Sequence, residues 1–316
     1  MQAFISCKYI QVVVNYAPVM KMKSGLRGSI FLLLATIIWG SAFVSQSVAM
    51  AYMGPFTFQA VRSALAVLGL IPLILIGDRR NKKNFWDSWR DRDLWKAGVL
   101  CGIPLFLACN LQQIGLVDTD AGKSGFLTAM YLVIVPVIGI FRKQKPTIMI
   151  PISVAVAVVG LYFLSCAGTT QISTGDLLTI GCAFMFAIQI TIVDIYATRV
   201  NVLRLNAIQA GICTILSSVA MVLTETPSPT QLVNTWFPLI HTGVLSMGVA
   251  YALQIFGQRD LEPTKASLIM SLESVFAALF GAWFLLERMD GWEILGCVLV
   301  FAAVLLSQVP IKKSRP

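Results

Sequence analysis

Runs of about 20 apolar residues recur from Ile30 almost to the end of the chain, broken only by short polar connections. A hydrocarbon core about 30 Å thick takes a helix of about that length to cross. The runs are continuous rather than alternating, and a segment in lipid must satisfy its backbone hydrogen bonds internally, so helices are expected and a β-barrel is not. The pattern predicts an all-α integral membrane protein with ten transmembrane helices, over 30–50, 56–76, 94–115, 124–141, 147–166, 177–197, 205–224, 237–257, 266–286 and 292–309. The longest connection, Gly77 to Asp93, has 17 residues, which leaves no room for a soluble catalytic domain.

Composition agrees with this reading. Hydrophobic residues are 57% of the chain and charged residues 12%, against about a quarter charged in soluble domains, and the mean hydropathy is +0.79. The net charge of +9 suggests nucleic acid until the basic residues are placed. With the N-terminus cytoplasmic, the inner segments hold 21 of the 24 Lys and Arg residues, leaving Lys123 and Arg288 outside and Arg62 within a span. That bias predicts a multi-pass protein of a bacterial inner membrane, both termini cytoplasmic, with lipid and no nucleic acid as partner. Residues 84–95, NFWDSWRDRDLW, set Phe85, Trp86 and Trp89 at helical spacing among alternating charges, as in a short interfacial helix or a partner-binding one. Residues 1–26 are expected to be a cytoplasmic or spurious extension: the first nineteen lack a signal peptide's basic region and cleavage site, and Met20 or Met22 would serve as a start. Residues 310–316 are expected to form a basic cytoplasmic tail.

The reactive residues narrow the chemistry. Seven cysteines include no CxxC pair and read as small apolar residues. His241 is the only histidine, which excludes an HExxH site, and no GxxxxGK[ST] loop is present to bind ATP. No metal or cofactor is expected.

Shifting residues 94–163 by 145 positions matches 12 of 70, among them Gly98-Val99-Leu100 with Gly243-Val244-Leu245 and Gln113 with Gln258. Five spans in each half is an odd number, so the second half enters the bilayer from the opposite face. The spans are therefore expected to form two inverted five-helix repeats, the architecture of secondary transporters that bind solute near the midplane between the halves.

Several stretches carry a family resemblance: ATIIWGSAFV (35–44), FTFQAVRSALAVLGLIPLIL (56–75) and SLESVFAALFGAWFLLERMDGWEILGCVLVFAAVLLS (271–307). They resemble the EamA domain of the drug/metabolite transporter superfamily, once over 27–166 and again over 175–309. The last stretch is similar to the family pattern L-E-P-V-F-A-A-L-x-G-x-x-x-L-x-E-R, except that Ser274 stands where a proline is usual, so no proline kink is expected there. The resemblance implies two five-helix bundles around a central cavity lined by spans 1 to 4 and 6 to 9. It also implies amino acids, other small metabolites or drugs as substrates, often exported, and a homodimer is compatible with it.

An ionisable residue at a helix centre costs about 3 kcal/mol to insert and must face the protein interior or water. Glu273 is such a residue: it is either a proton-coupling or amine-binding site, or a structural hydrogen-bonding group between helices. Arg62 either binds a substrate carboxylate, or snorkels outward or holds neighbouring carbonyls, and Glu273 is a conceivable partner for it. Asp194 reads as helix-packing chemistry. Trp39 and Gln46 on span 1, Asn110 and Gln113 on span 3, Tyr131 on span 4, Gln189 on span 6, and Tyr251 and Gln254 on span 8 together outline a mixed aromatic and amide cavity. The expected function is secondary transport of a small metabolite, an amino acid or related solute, by alternating access, with Glu273 the candidate for proton coupling. The alternatives are an intramembrane enzyme and a non-transporting scaffold or receptor.

Overall fold

A computed structural model of the protein describes residues 23–82, 84–119, 121–143, 148–166, 173–284 and 289–307, and among them there is no strand. In chain order the helices are α1 (Ser24–Met50), α2 (Pro55–Arg80), α3 (Arg92–Asp118), α4 (Ala121–Ala129), α5 (Tyr131–Phe141), α6 (Met149–Cys166), α7 (Thr174–Tyr196) and α8 (Val202–Thr224). There follow α9 (Pro229–Asn234), α10 (Trp236–Ile240), a π-helix (His241–Ala250), α11 (Tyr251–Gln258), α12 (Pro263–Met270), α13 (Leu272–Phe284) and α14 (Gly291–Ser307). Taken with their continuations, eight helical segments among the described residues are long and apolar enough to cross a membrane: α1, α2, α3, α4–α5, α7, α8, α10–α11 and α12–α13. The spans expected over 147–166 and 292–309 coincide with α6 and α14, which are shorter than those eight. Of the expected N-terminal extension only residues 23–26 are described, and the basic tail lies outside the described residues.

Local chemistry starts the helices where they start. Pro55 opens α2 with a preset φ and no N–H to leave unpaired. Ser173 and Asp176 form a reciprocal capping box on α7, and the Asn201 side chain caps α8. The segment 84–95, where a short helix is expected, forms a single 3₁₀ turn at Asp87–Trp89 before Asp91 caps α3; Trp86 stays exposed while Phe85 and Trp89 turn inward.

Those rings turn onto Arg204. This guanidinium is 1% exposed, donates from Nη2 to Asp78 Oδ2 at 2.6 Å, and lies 5.3 Å from the ring centroid of Trp89 and 5.9 Å from that of Phe85. Other ion pairs join Arg27 to Asp260 (2.6 Å), Lys123 to Asp176 (2.6 Å) and Arg142 to Asp194 (3.2 Å). Asp194, read from the sequence as packing chemistry, thus ties the ends of α5 and α7 together.

Lipid supplies no hydrophobic drive for helix pairing, so close approach at small residues and interhelical hydrogen bonds decide the contacts. α3 lies along α7 and α8, α2 along α8 and the π-helix, α1 along α13, α11 and the π-helix, and α6 along α14. α1 meets α11 at Gly28 and Gly257, and α3 meets α7 at Gly115 and Gly175; a Cβ at any of the four would lie 2.6–3.0 Å from the facing glycine's carbonyl oxygen.

Two substitutions probe this packing. A Cβ at Gly40 would fall 2.4 Å from Phe276 Cβ and 2.8 Å from Ala277 N, so Gly40→Ala is expected to lower the thermal unfolding temperature by the equivalent of about 1–3 kcal/mol. Gly77→Ala meets nothing within 4 Å and is expected to leave that temperature unchanged or raise it. Arg204→Met strands a buried carboxylate and is expected to cost about 3–5 kcal/mol, part of which Asp78→Asn in the same chain restores. The unfolding curve of the double variant in detergent checks that recovery.

Candidate functional site

The fourth and last of the eight spanning segments are each interrupted once, and the two interruptions share a geometry. Met130 has φ −60° and ψ −12°, and Ser271 has φ −63° and ψ −14°, each with ψ about 30° short of the α-helical value. No proline makes the second break. The hydroxyls of Ser267 and Ser271 bond back to the carbonyls of Thr264 (2.9 Å) and Leu268 (2.8 Å), a competition that bends helices. Ser274, in the place of the family's proline, reaches instead across to the carbonyl of Gly125 on α4 at 2.8 Å.

Tyr131 and Glu273 sit just after these breaks, and the Tyr131 hydroxyl donates to Glu273 Oε1 at 3.0 Å. Both line a cavity of about 550 Å³, counting all space not filled by atoms and including open solvent, which is also lined by Trp39, Phe43, Gln46, Arg62, Gln112, Phe186, Tyr251 and Gln254. Glu273 is 6% exposed and Arg62 4% exposed, and among the described residues neither has an ion-pair partner. Arg62 does not snorkel outward and does not meet Glu273. Its Nε donates to Gln59 Oε1 at 2.6 Å and its Nη1 to Gln46 Oε1 at 2.5 Å, and its guanidinium lies 5.2 Å from the centroid of Phe58. Two neutral amides hold the cation in place without compensating its charge.

The π-helix shapes the wall opposite. Its wider turns bring Ser246 and Met247 to the cavity, and carbonyls of Met247 and Gly248 accept from Asn206 Nδ2 on α8 at 3.2 and 2.7 Å. Gly243 is seated on α2, where a Cβ would lie 2.7 Å from the carbonyl oxygen of Arg62. His241 ties this element to α1 through the hydroxyls of Ser41 (3.2 Å) and Ser45 (2.9 Å) and does not line the cavity.

Seven of the ten site residues picked from the sequence line the cavity: Trp39, Gln46, Arg62, Tyr131, Tyr251, Gln254 and Glu273. Three do not. Asn110 is committed to Ser217 Oγ (3.1 Å) and the Phe106 carbonyl (2.8 Å), fastening α3 to α8. Gln113 is fully buried away from the cavity with neither amide atom paired; one residue earlier, about 100° around the helix, Gln112 lines it and donates to Thr128 Oγ1 at 3.0 Å. Gln189 lies behind the wall, donating to Gln209 at 3.2 Å and accepting from Gln254 at 3.1 Å. Gln254, so held, presents an Oε1 with no partner, and Trp39, packed edge-on against Tyr251 with centroids 5.1 Å apart, has an unpaired Nε1–H. The sequence reading missed Gln112, Met247 and Met270. Among the described residues no group of three His, Cys, Asp or Glu is placed to hold a metal.

The pattern of the EamA-like transporter family matches residues 26–166 and again 173–308. An uncharacterized transporter of Archaeoglobus fulgidus is 32% identical over 283 residues, covering 87% of this chain and 83% of that protein. The uncharacterized transporter YoaV of Bacillus subtilis is 21% identical over 286 residues, covering 89% of this chain and 96% of its own. A solved crystal structure superposes with a TM-score of 0.72 over 91% of this chain and 97% of the other at 15% identity, which is a likeness of fold alone. With the family pattern matched over both halves and transporters among its relatives, the chain belongs to the EamA-like transporter family of the drug/metabolite transporter superfamily and is a multi-pass membrane transporter.

Proposed function

We propose that the protein is a secondary transporter that moves an amino acid or related zwitterion across the bacterial inner membrane by alternating access. The observation that carries this reading is a buried cation and a buried carboxyl, Arg62 and Glu273, lining one cavity with no ionic partner of their own among the described residues. An uncompensated charge in the bilayer is costly, and a solute that brings the opposite charge removes the cost at the moment of binding. The solute carboxylate is assigned to the guanidinium and the unpaired Trp39 N–H, and its ammonium to Glu273 and the unpaired Gln254 Oε1. Phe43, Phe186, Met247 and Met270 form an adaptable apolar wall for the rest of the molecule.

Ten spans in two inverted five-helix repeats, both termini cytoplasmic, are part of the proposal. Helix pairing supports it: numbering α1, α2, α3, α4–α5 and α6 as the first five spans and α7, α8, α10–α11, α12–α13 and α14 as the second, exchanging the halves turns each close pair into itself or another close pair. α3 with α7 becomes α11 and the π-helix with α1, and α3 with α8 becomes the π-helix with α2. The family pattern also matches once in each half. Export is the direction the family resemblance implies.

Proton coupling is assigned to Glu273. Glu273→Gln keeps size and a hydrogen bond to Tyr131 but fixes the group as neutral, so the variant is expected to fold, to exchange labelled for unlabelled solute, and to lose uptake driven by a pH gradient. Reconstituted liposomes with and without an imposed gradient measure this; undiminished driven flux would leave Glu273 as packing chemistry. Arg62→Lys keeps the charge and loses the planar fork, so it is expected to weaken binding of a carboxylate solute about tenfold or more, the scale of a charged hydrogen bond, while sparing the corresponding amide. Binding by thermal stabilisation with leucine and leucinamide separates the two; equal loss for both would make Arg62 structural.

A further inference from the structure

α2 and α8 come from different halves of the chain, and each end of the pair is fastened by a carboxylate from the end of one helix to the first turn of the other. Asp78 on α2 accepts from Arg204 on α8 at 2.6 Å. Glu225, which follows α8, accepts from the N–H groups of Phe56 (2.9 Å) and Thr57 (2.8 Å) and from the Thr57 hydroxyl (2.6 Å) on α2. The correspondence extends to position: Thr57 and Arg204 are separated by the same interval as Asp78 and Glu225. One end is an ion pair and the other a carboxylate on helix N-terminal amides, yet both are closed at once. Gly54 leaves room for the second, since a Cβ there would fall 2.3 Å from Glu225 Cδ. Between the ends, Ala66 packs with Ala210 and Cys213, and Leu70 and Ile74 with Ala207.

When two halves exchange conformations, a contact that gates one side must be open while its counterpart on the other side is closed. A pair fastened alike at both ends looks the same after the exchange. The contacts α1–α13 and α5–α7 correspond under that exchange: α13 seats Phe276 and Ala277 directly on Gly40, and their counterparts Tyr131 and Leu132 share one apolar cluster with Ala187 on α7. Past that cluster the end of α5 is fastened to α7 by one partly exposed ion pair, Arg142 to Asp194 at 3.2 Å, a weaker tie than the buried Asp78–Arg204 pair of the α2–α8 contact. We infer that α2 and α8 form a strut that stays closed in both states, and that Arg142–Asp194 is the latch through which α5 and α7 separate. The inference rests on the alternating-access reading above and adds which helices move.

Spin labels and pulsed dipolar distance measurements on the full chain in lipid nanodiscs test it without any solute. Pairs Arg79→Cys with Asn201→Cys and Tyr52→Cys with Thr226→Cys report the two ends of the strut, and Phe141→Cys with Thr198→Cys reports the latch; the unsubstituted chain supplies the labelling background. Each pair is measured with the native latch, with Asp194→Asn, and with Arg142→Gln as a second way of breaking it. The expected result is a longer α5–α7 population whose ratio to the shorter one rises about fivefold when the latch is broken, the scale of a half-exposed ion pair, with both strut distances unchanged. A second, longer distance at either strut pair overturns the strut while leaving alternating access standing. An α5–α7 distribution unchanged in both latch variants overturns the latch, and if no pair moves at all the result also counts against alternating access.

Discussion

Inside a bilayer a polar atom has no water to turn to, and most of this molecule's interior is arranged around that fact. Buried amides serve one another in sequence: Gln254 donates to Gln189 and Gln258, Gln189 to Gln209, Gln209 to Asn206, and Asn206 to the carbonyls that the π-helix presents. Arg204 is matched by Asp78 and walled by aromatic rings. Among the described residues, the exceptions that gather in one place are informative. Trp39 Nε1 and Gln254 Oε1 lack partners, Arg62 and Glu273 lack counter-ions, and all four line one cavity. Away from the cavity, both amide atoms of Gln113, Trp89 Nε1, Asn110 Oδ1, Ser124 Oγ, Ser153 Oγ and Arg204 Nε are also buried and unpaired, and for these the structure offers no physical account.

Charge and hydropathy made the helices legible in the sequence, because a span is defined by length and apolarity. They also made Arg62 and Glu273 legible, since a formal charge in an apolar run needs no structure to be noticed. Helix phase was harder to read. From Ala108 to Leu116 no residue of α3 is exposed, so nothing in the local periodicity distinguishes Gln112 from Gln113, and the reading chose the wrong one. Asn110 and Gln189 were mistaken for lining because an amide that joins two helices and an amide that faces a cavity have the same sequence signature. Met247 and Met270 carry no polar signal at all. The π-helix is invisible to a 3.6-residue period, and the break at Ser271 lacks the proline that would have announced it.

The cavity owes its position to contacts of two kinds. Glycines let α1 approach α11 and α3 approach α7 at backbone distance, which fixes those pairs closely and leaves little freedom. The two broken segments are held differently, by serine hydroxyls and by the Tyr131–Glu273 bond, both of which can re-form in another geometry. Rigid walls and hydrogen-bonded breaks therefore lie side by side around the same space.

The lining is less symmetric than the scaffold. In the register that superposes the two halves, Glu273 falls opposite Thr128, and the regular α3 corresponds to a segment that contains a π-helix. A cavity with true twofold chemistry would hold a head-and-tail molecule in two equal orientations and would have no means of telling them apart. Under the alternating-access proposal, differences such as this carboxyl and this stretch of wider helix would give the bound molecule a single heading, kept while the framework around it reverses.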